Sequence, residues 1–131
     1  SKTRAIFEIN KGVNKNENVE VNTLVPEGER RVPMQNMIYI ADGPSDVPSF
    51  SLINSKGGKT LGVYAPGDAN YESAAQLEEQ GRVNSIAAAD YMEGSPADRW
   101  LRRTIKRIAD RIVRDREQVF SSYGGAPGHN V

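Results

Sequence analysis

Residues 37–46 read MIYIADGPSD, and this stretch decides the fold of the chain. Its first five residues are all apolar. The run is too short for a helix, and Ile38 and Ile40 are β-branched, so it predicts a strand buried on both faces, as strands of parallel sheets are. The run ends at Asp42, and the Gly-Pro-Ser sequence that follows is typical of a tight turn.

Strands and helices are predicted to alternate downstream of this strand. Apolar residues in 47–53 predict a short helix, residues 60–64 and about 83–89 predict two further strands, and about 70–80 predicts a helix between them. Ser95 and Pro96 are typical of a helix start, and the longest predicted helix runs from there to about Phe120. The alternation predicts an α/β fold, a partial doubly wound, Rossmann-like parallel sheet with flanking helices.

The two ends of the chain and one internal segment do not belong to this alternation of strands and helices. Residues 3–10 predict a short helix, because Thr3 is a good capping residue and Gly12 a good stop. Residues 13–36 are rich in Asn, Glu, Gly and Pro and are interpreted as an insertion. Residues 1–121 are thus predicted to form one domain unit, and residues 122–131 a flexible tail.

Composition excludes several function classes. The 131 residues hold 17 Lys and Arg against 17 Asp and Glu, so no global charge favours nucleic acid or an anionic membrane as a partner. The absence of cysteine excludes disulfides, thiolate catalysis and zinc fingers, and is compatible with the cytoplasm, where we expect the protein to reside. No apolar run approaches the roughly 18 residues needed to span a bilayer.

The turn after the first predicted buried strand is the candidate site. Ligands of open α/β sheets bind beyond the carboxyl ends of the strands, which is where Asp42 and Asp46 are predicted to lie. Two carboxylates four residues apart could hold Mg²⁺, which takes few protein ligands and keeps several waters. The alternative interpretation is an ordinary turn in which Asp46 caps the next helix.

Residues 38–47, IYIADGPSDV, resemble the fourth motif of the haloacid dehalogenase-like (HAD) hydrolases, a hydrophobic strand followed by Gly-Asp-Gly-x-x-Asp. Ala41 stands where that motif has its first glycine. The resemblance implies a HAD-type core in which Asp42 and Asp46 bind Mg²⁺ or support it. It also implies a third-motif lysine that stabilises the aspartyl nucleophile; Lys2 is similar to it in context, and Lys11 and Lys15 remain alternatives.

The family's nucleophile motif, Asp-x-Asp after an N-terminal strand, does not occur ahead of Lys2. The resemblance therefore implies that the chain is the C-terminal part of a Mg²⁺-dependent phosphohydrolase acting on a small phosphorylated molecule, and that it is inactive alone. A missing strand would leave an unpaired sheet edge, so we also expect self-association. The alternative is a non-catalytic α/β interaction or oligomerisation domain that carries an acidic turn.

The longest predicted helix is rich in charge. Residues 98–117 hold eight basic and four acidic side chains, and several opposite charges stand four residues apart, as on solvated helix faces. We interpret this helix as a solvated surface element and Trp100 as a packing residue. The GKT sequence at residues 58–60 is interpreted as a turn, because a strand and not a helix is predicted to follow it.

Overall fold

The computed structural model describes residues 4–10, 13–17, 32–67 and 70–122. This part of the chain contains five strands and three α-helices. The strands are β1 (Arg4–Asn10), β2 (Val13–Glu17), β3 (Met37–Ala41), β4 (Lys59–Tyr64) and β5 (Ser85–Ala88). The helices are α1 (Val47–Ser55), α2 (Tyr71–Glu79) and α3 (Pro96–Ser122), and short 3-10 turns cover Met34–Asn36 and Pro44–Asp46.

The strands form one sheet in the order β2-β1-β3-β4-β5. β3, β4 and β5 are parallel, and α1 and α2 connect them in turn. β1 is antiparallel to both β2 and β3. The predicted α/β class with flanking helices is thus confirmed, but the sheet is mixed and not wholly parallel.

β3 is the central strand of the sheet, and all five of its residues are buried. Tyr39 belongs to a core cluster that includes Phe50 and Ile53 of α1, whereas Ile38 and Ile40 belong to a second cluster that includes Ile108 of α3. Because successive side chains of a strand point to opposite faces, helices cover both faces of the sheet. The run is apolar at every position because β3 is buried on both faces, as the sequence predicts.

The predicted helix over residues 3–10 is wrong, since Arg4–Asn10 is strand β1. Its backbone pairs with β3, with Ile6 opposite Tyr39 and Phe7 opposite Ile38. Ile6 and Ile9 are three residues apart, so a strand places them on opposite faces, and they indeed join different core clusters. Pairing with the buried strand outweighs a weak local helix preference. Thr3 and Gly12 lie outside the described residues.

The predicted start of α3 is confirmed. The Asp98 backbone N–H donates to Ser95 Oγ at 3.2 Å, and the Gly94 N–H donates to Asp98 Oδ2 at 2.9 Å. This cap and the bond to Arg102 Nε both lower the pKa of the Asp98 carboxyl. The helix includes Ser122, which was predicted to be the first residue of the tail, and residues 123–131 lie outside the described part of the chain.

Gly58 sits where the chain turns from α1 into β4, and its N–H donates to Ile53 O at 2.9 Å. A Cβ at this position would lie 2.5 Å from Met34 O and 2.5 Å from Ile53 Cγ2. Met34 O is a backbone atom of a buried residue, so it has little freedom to move aside. Only glycine therefore fits between α1 and the start of β3.

Gly58→Ala is expected to lower the free energy of unfolding by about 2 kcal/mol, because the added methyl group overpacks a closed junction. Urea unfolding followed by circular dichroism measures the change. Gly62→Ala in β4 is the matched control, since its nearest neighbour would be Ile86 Cγ2 at 3.5 Å, an ordinary contact. Equal effects of the two variants would contradict the close packing at Gly58.

Candidate functional site

The carboxyl ends of β3, β4 and β5 meet at one edge of the sheet, because these strands are parallel. The start of β1 lies at the same edge, since β1 is antiparallel and Arg4 pairs with Ala41, the last residue of β3. Asp42 and the 3-10 turn of residues 44–46 follow directly. The loop that begins at Ala89 leaves β5 at this edge and leads into α3.

Asp46 is fully buried, and both of its carboxylate oxygens accept hydrogen bonds. Arg4 Nε donates to Oδ1 at 2.9 Å, the Tyr39 hydroxyl donates to Oδ1 at 3.3 Å, and the Gly43 N–H donates to Oδ2 at 3.1 Å. The three donors come from β1, β3 and the turn itself. Asp46 therefore joins these three segments and caps the turn, as a buried carboxylate must be bonded to be stable.

The electrostatics of this cluster favour a neutral phenol at Tyr39. Burial raises the pKa of Tyr39 well above its usual value, and the neighbouring Asp46 carboxylate raises it further. Tyr39 therefore remains a hydrogen-bond donor at all physiological pH values. The Arg4 side chain is 19% exposed, so its guanidinium lies at the boundary between the buried carboxylate and the solvent.

Asp42 differs from Asp46 because it is only partly buried, although its Oδ1 atom is itself closed to solvent. Burial raises the pKa of Tyr91, and the charge of Asp42 raises it further. Asp42 thus acts electrostatically on the loop that follows β5. Hydrogen bonds that hold this loop include those from the Met92 N–H to Asp90 Oδ1 at 3.0 Å and from Ser95 Oγ to Asp90 O at 2.6 Å.

The structure brings Asp42 and Asp46 into one turn at the predicted edge of the sheet, with Asp42 partly buried and Asp46 fully buried. Lys2 and its alternative Lys11 lie outside the described residues, and the other alternative, Lys15, lies in β2 opposite Glu8. The described ranges contain no group of three or more His, Cys, Asp or Glu side chains that could hold a metal ion. A metal bound here would therefore need ligands besides those described.

Sequence reasoning missed Arg4 and Tyr91. Arg4 was assigned to a helix, and only its pairing with Ala41 places it beside the Asp46 turn. The sequence does contain a signal for Tyr39. Its hydroxyl is a polar group within an apolar run, and strand alternation places it on the same face of β3 as Ala41. No local pattern identifies Tyr91, which is brought close to Asp42 by the loop after β5.

Comparison with known proteins gives one similar chain. An uncharacterized protein of Borreliella burgdorferi is 40% identical over 107 residues, which cover 79% of this chain and 35% of that protein. The chain therefore spans about a third of the length of the curated relative it matches. No protein family model and no solved structure matches the chain. In the part of the chain that the structure describes, no helix is both long and apolar enough to cross a membrane.

Asp46→Asn is expected to lower the free energy of unfolding by about 3 kcal/mol, since it leaves the Arg4 guanidinium without its buried counterion. Urea unfolding at neutral pH measures the loss. Asp110→Asn is the control, because Asp110 is 53% exposed and its pair with Lys106 should contribute about 0.5 kcal/mol or less. A loss at Asp46 no larger than that of the control would contradict a joining role for this carboxylate.

Tyr39→Phe is expected to remove part of the alkaline instability of the protein. A tyrosine whose pKa is raised by folding contributes stability that is complete below its unfolded pKa of about 10 and is lost as the pH rises further. The free energy of unfolding should therefore fall more steeply above about pH 10 in the wild type than in Tyr39→Phe. Tyr71→Phe, at an exposed position, serves as the control. Identical slopes for wild type and Tyr39→Phe would exclude this role for Tyr39.

Proposed function

We propose that this chain is part of a Mg²⁺-dependent phosphohydrolase of the HAD-like type, with Asp42 as a metal ligand and Asp46 as the residue that holds the metal-binding turn. One observation carries the proposal: a partly buried and a fully buried carboxylate share a turn at the carboxyl edge of parallel strands. This edge is where open α/β sheets bind their ligands. The resemblance of residues 38–47 to the fourth HAD motif supports the same interpretation.

The chemistry of the two aspartates fits this division of roles. Mg²⁺ binds one or two carboxylates and keeps several waters, which suits the partly exposed Asp42. Asp46 is enclosed by Arg4, Tyr39 and Gly43, so it orients the turn and does not need to contact the ion. When bound, the ion would neutralise charge on the phosphoryl oxygens of a small phosphorylated substrate.

The proposal also requires a lysine and a nucleophilic aspartate, and neither lies among the described residues of the turn. Lys2 would stabilise negative charge near the phosphoryl group, and the attacking aspartate would come from an Asp-x-Asp motif outside these 131 residues. Nucleophilic attack requires that carboxylate in line with phosphorus, which Asp42 as a metal ligand cannot supply. The proposal includes no nucleic acid or membrane partner.

The fold supports a HAD-type, Rossmann-like arrangement in one respect and departs from it in another. Parallel β3, β4 and β5, with α1 on one face and α3 on the other, have the layers of a doubly wound sheet. β1 is antiparallel to β3, which departs from a wholly parallel sheet. The proposal therefore rests on the β3 edge and not on the complete sheet.

Mg²⁺ is expected to bind this chain and to raise its melting temperature, and Asp42→Asn should abolish both effects. Isothermal titration calorimetry and thermal unfolding with and without MgCl₂ measure them. The exposed Asp110→Asn serves as the matched control and should retain wild-type Mg²⁺ binding. In a longer protein that includes the nucleophile, Asp42→Asn should abolish Mg²⁺-dependent hydrolysis of an aryl phosphate.

Two outcomes would contradict the proposal. Unchanged Mg²⁺ binding by Asp42→Asn would remove Asp42 from the site, and strong phosphatase turnover by the 131-residue chain alone would show that the nucleophile lies within it. The alternative of an oligomerisation domain is favoured by exposed Val113, Val119 and Phe120 on α3. That alternative predicts a concentration-dependent mass in sedimentation together with no Mg²⁺ binding.

A further inference from the structure

A cavity lies at the edge of the sheet opposite to the one that carries Asp42. It has a volume of about 510 Å³ and lies between α3 and the amino ends of the parallel strands. Lys59, the first residue of β4, and Asn84, which precedes β5, line one side of it. The middle of α3 lines the other side, with Trp100 among its residues. The volume is typical of small-molecule sites.

The lining of this cavity is strongly basic although the whole chain has no net charge. It contains five cationic side chains, which are Lys59, Arg103, Arg107, Arg111 and Arg114, and one acidic side chain, Asp110. Lys106 Nζ donates to Asp110 Oδ2 at 3.0 Å, so a cation outside the cavity already neutralises that acid. The lining therefore carries nearly five uncompensated positive charges.

The described residues provide no ion-pair partner for four of these cations, Lys59, Arg103, Arg107 and Arg114. Like charges four residues apart on a helix repel each other, and Arg103, Arg107 and Arg111 have this spacing. At 1.5 Å per residue, the arginines from 103 to 114 extend over about 16 Å of one helix face. An array of this kind is stabilised by an anion that carries several charges.

Arg111 is a cation of the lining that the protein holds in position. Its Nη2 donates to Gln35 O at 2.7 Å and to Asn36 Oδ1 at 2.6 Å, which fixes the guanidinium between α3 and the turn before β3. Its Nε is buried and finds no hydrogen-bond acceptor in the described part of the chain. Because that atom is closed to solvent, an anion in the cavity cannot reach it without a rearrangement, so Arg111 would contribute its charge and its other N–H groups.

We propose that this cavity binds a small anion with several phosphate groups, such as an inorganic polyphosphate or a nucleoside triphosphate. Arginine guanidinium groups recognise phosphate oxygens with paired hydrogen bonds, and several of them along one face match several phosphates. The site is separate from the Asp42 edge and requires no metal ion. Its bounded volume and the zero net charge of the chain favour a small anion over a nucleic acid strand.

Calorimetric titration of the full 131-residue chain with inorganic tripolyphosphate and with ATP tests the proposal, in EDTA so that the Asp42 edge does not contribute. Both probes should bind, and the double variant Arg103→Gln/Arg107→Gln should weaken binding at least tenfold. Both residues are exposed, so the variant should fold normally. Arg116→Gln on the same helix lies outside the cavity lining and should change the affinity less than twofold.

The two probes separate the possible sources of the phosphates. Tighter binding of ATP than of tripolyphosphate, with the difference lost in Trp100→Leu, would assign the site to a nucleotide, whereas equal or weaker ATP binding would assign it to a polyphosphate. Three results would overturn the proposal: no binding of either probe, equal weakening by Arg116→Gln, or tighter binding of a single-stranded oligonucleotide with a steep salt dependence. Asp42→Asn should leave the titration unchanged, which keeps this test distinct from that of the phosphohydrolase.

Discussion

The buried carboxylate of Asp46 is the constraint on which the candidate site depends. A carboxylate without solvent contact is stable only if donors replace its hydration, and here they come from three separate segments. Arg4 must therefore lie beside the end of β3, Tyr39 must present its hydroxyl from within the strand, and Gly43 must turn its N–H inward. The position of Asp42 follows, because it lies between β3 and this fixed turn.

The parts of the fold that sequence predicts well are those with a strong local cause. The apolar run before Asp42 can be satisfied only by burial on both faces, and Ser95 and Pro96 are strong helix-start residues, so β3 and α3 lie where they are predicted. Residues 4–10 lack such a cause. Their apolar residues fit a helix or a strand, and the pairing with β3, which a local pattern does not contain, decides between them.

The candidate site, too, can be predicted from the sequence only in part. The two aspartates can be identified from the sequence because they follow a recognisable strand. Their different burial cannot, since Asp46 is enclosed by donors that include Arg4 of another strand. The sequence pattern leaves open whether Asp46 shares the metal with Asp42, supports it or only caps the next helix. The structure distinguishes them, because a carboxylate held by a guanidinium, a phenol and a backbone N–H has little capacity left for a hydrated cation.

The two edges of the sheet carry opposite charges, although the net charge of the chain is zero. The carboxyl edge of the parallel strands presents Asp42, and the amino edge presents the arginines of α3 together with Lys59. α3 connects the two edges, since it begins at the loop after β5 and passes along the cavity at Asn84. Solvation alone does not require cations to converge on a cavity, because separate exposed positions would hydrate them better. Their convergence supports the proposed anion site, at an edge that the proposed phosphohydrolase would not use.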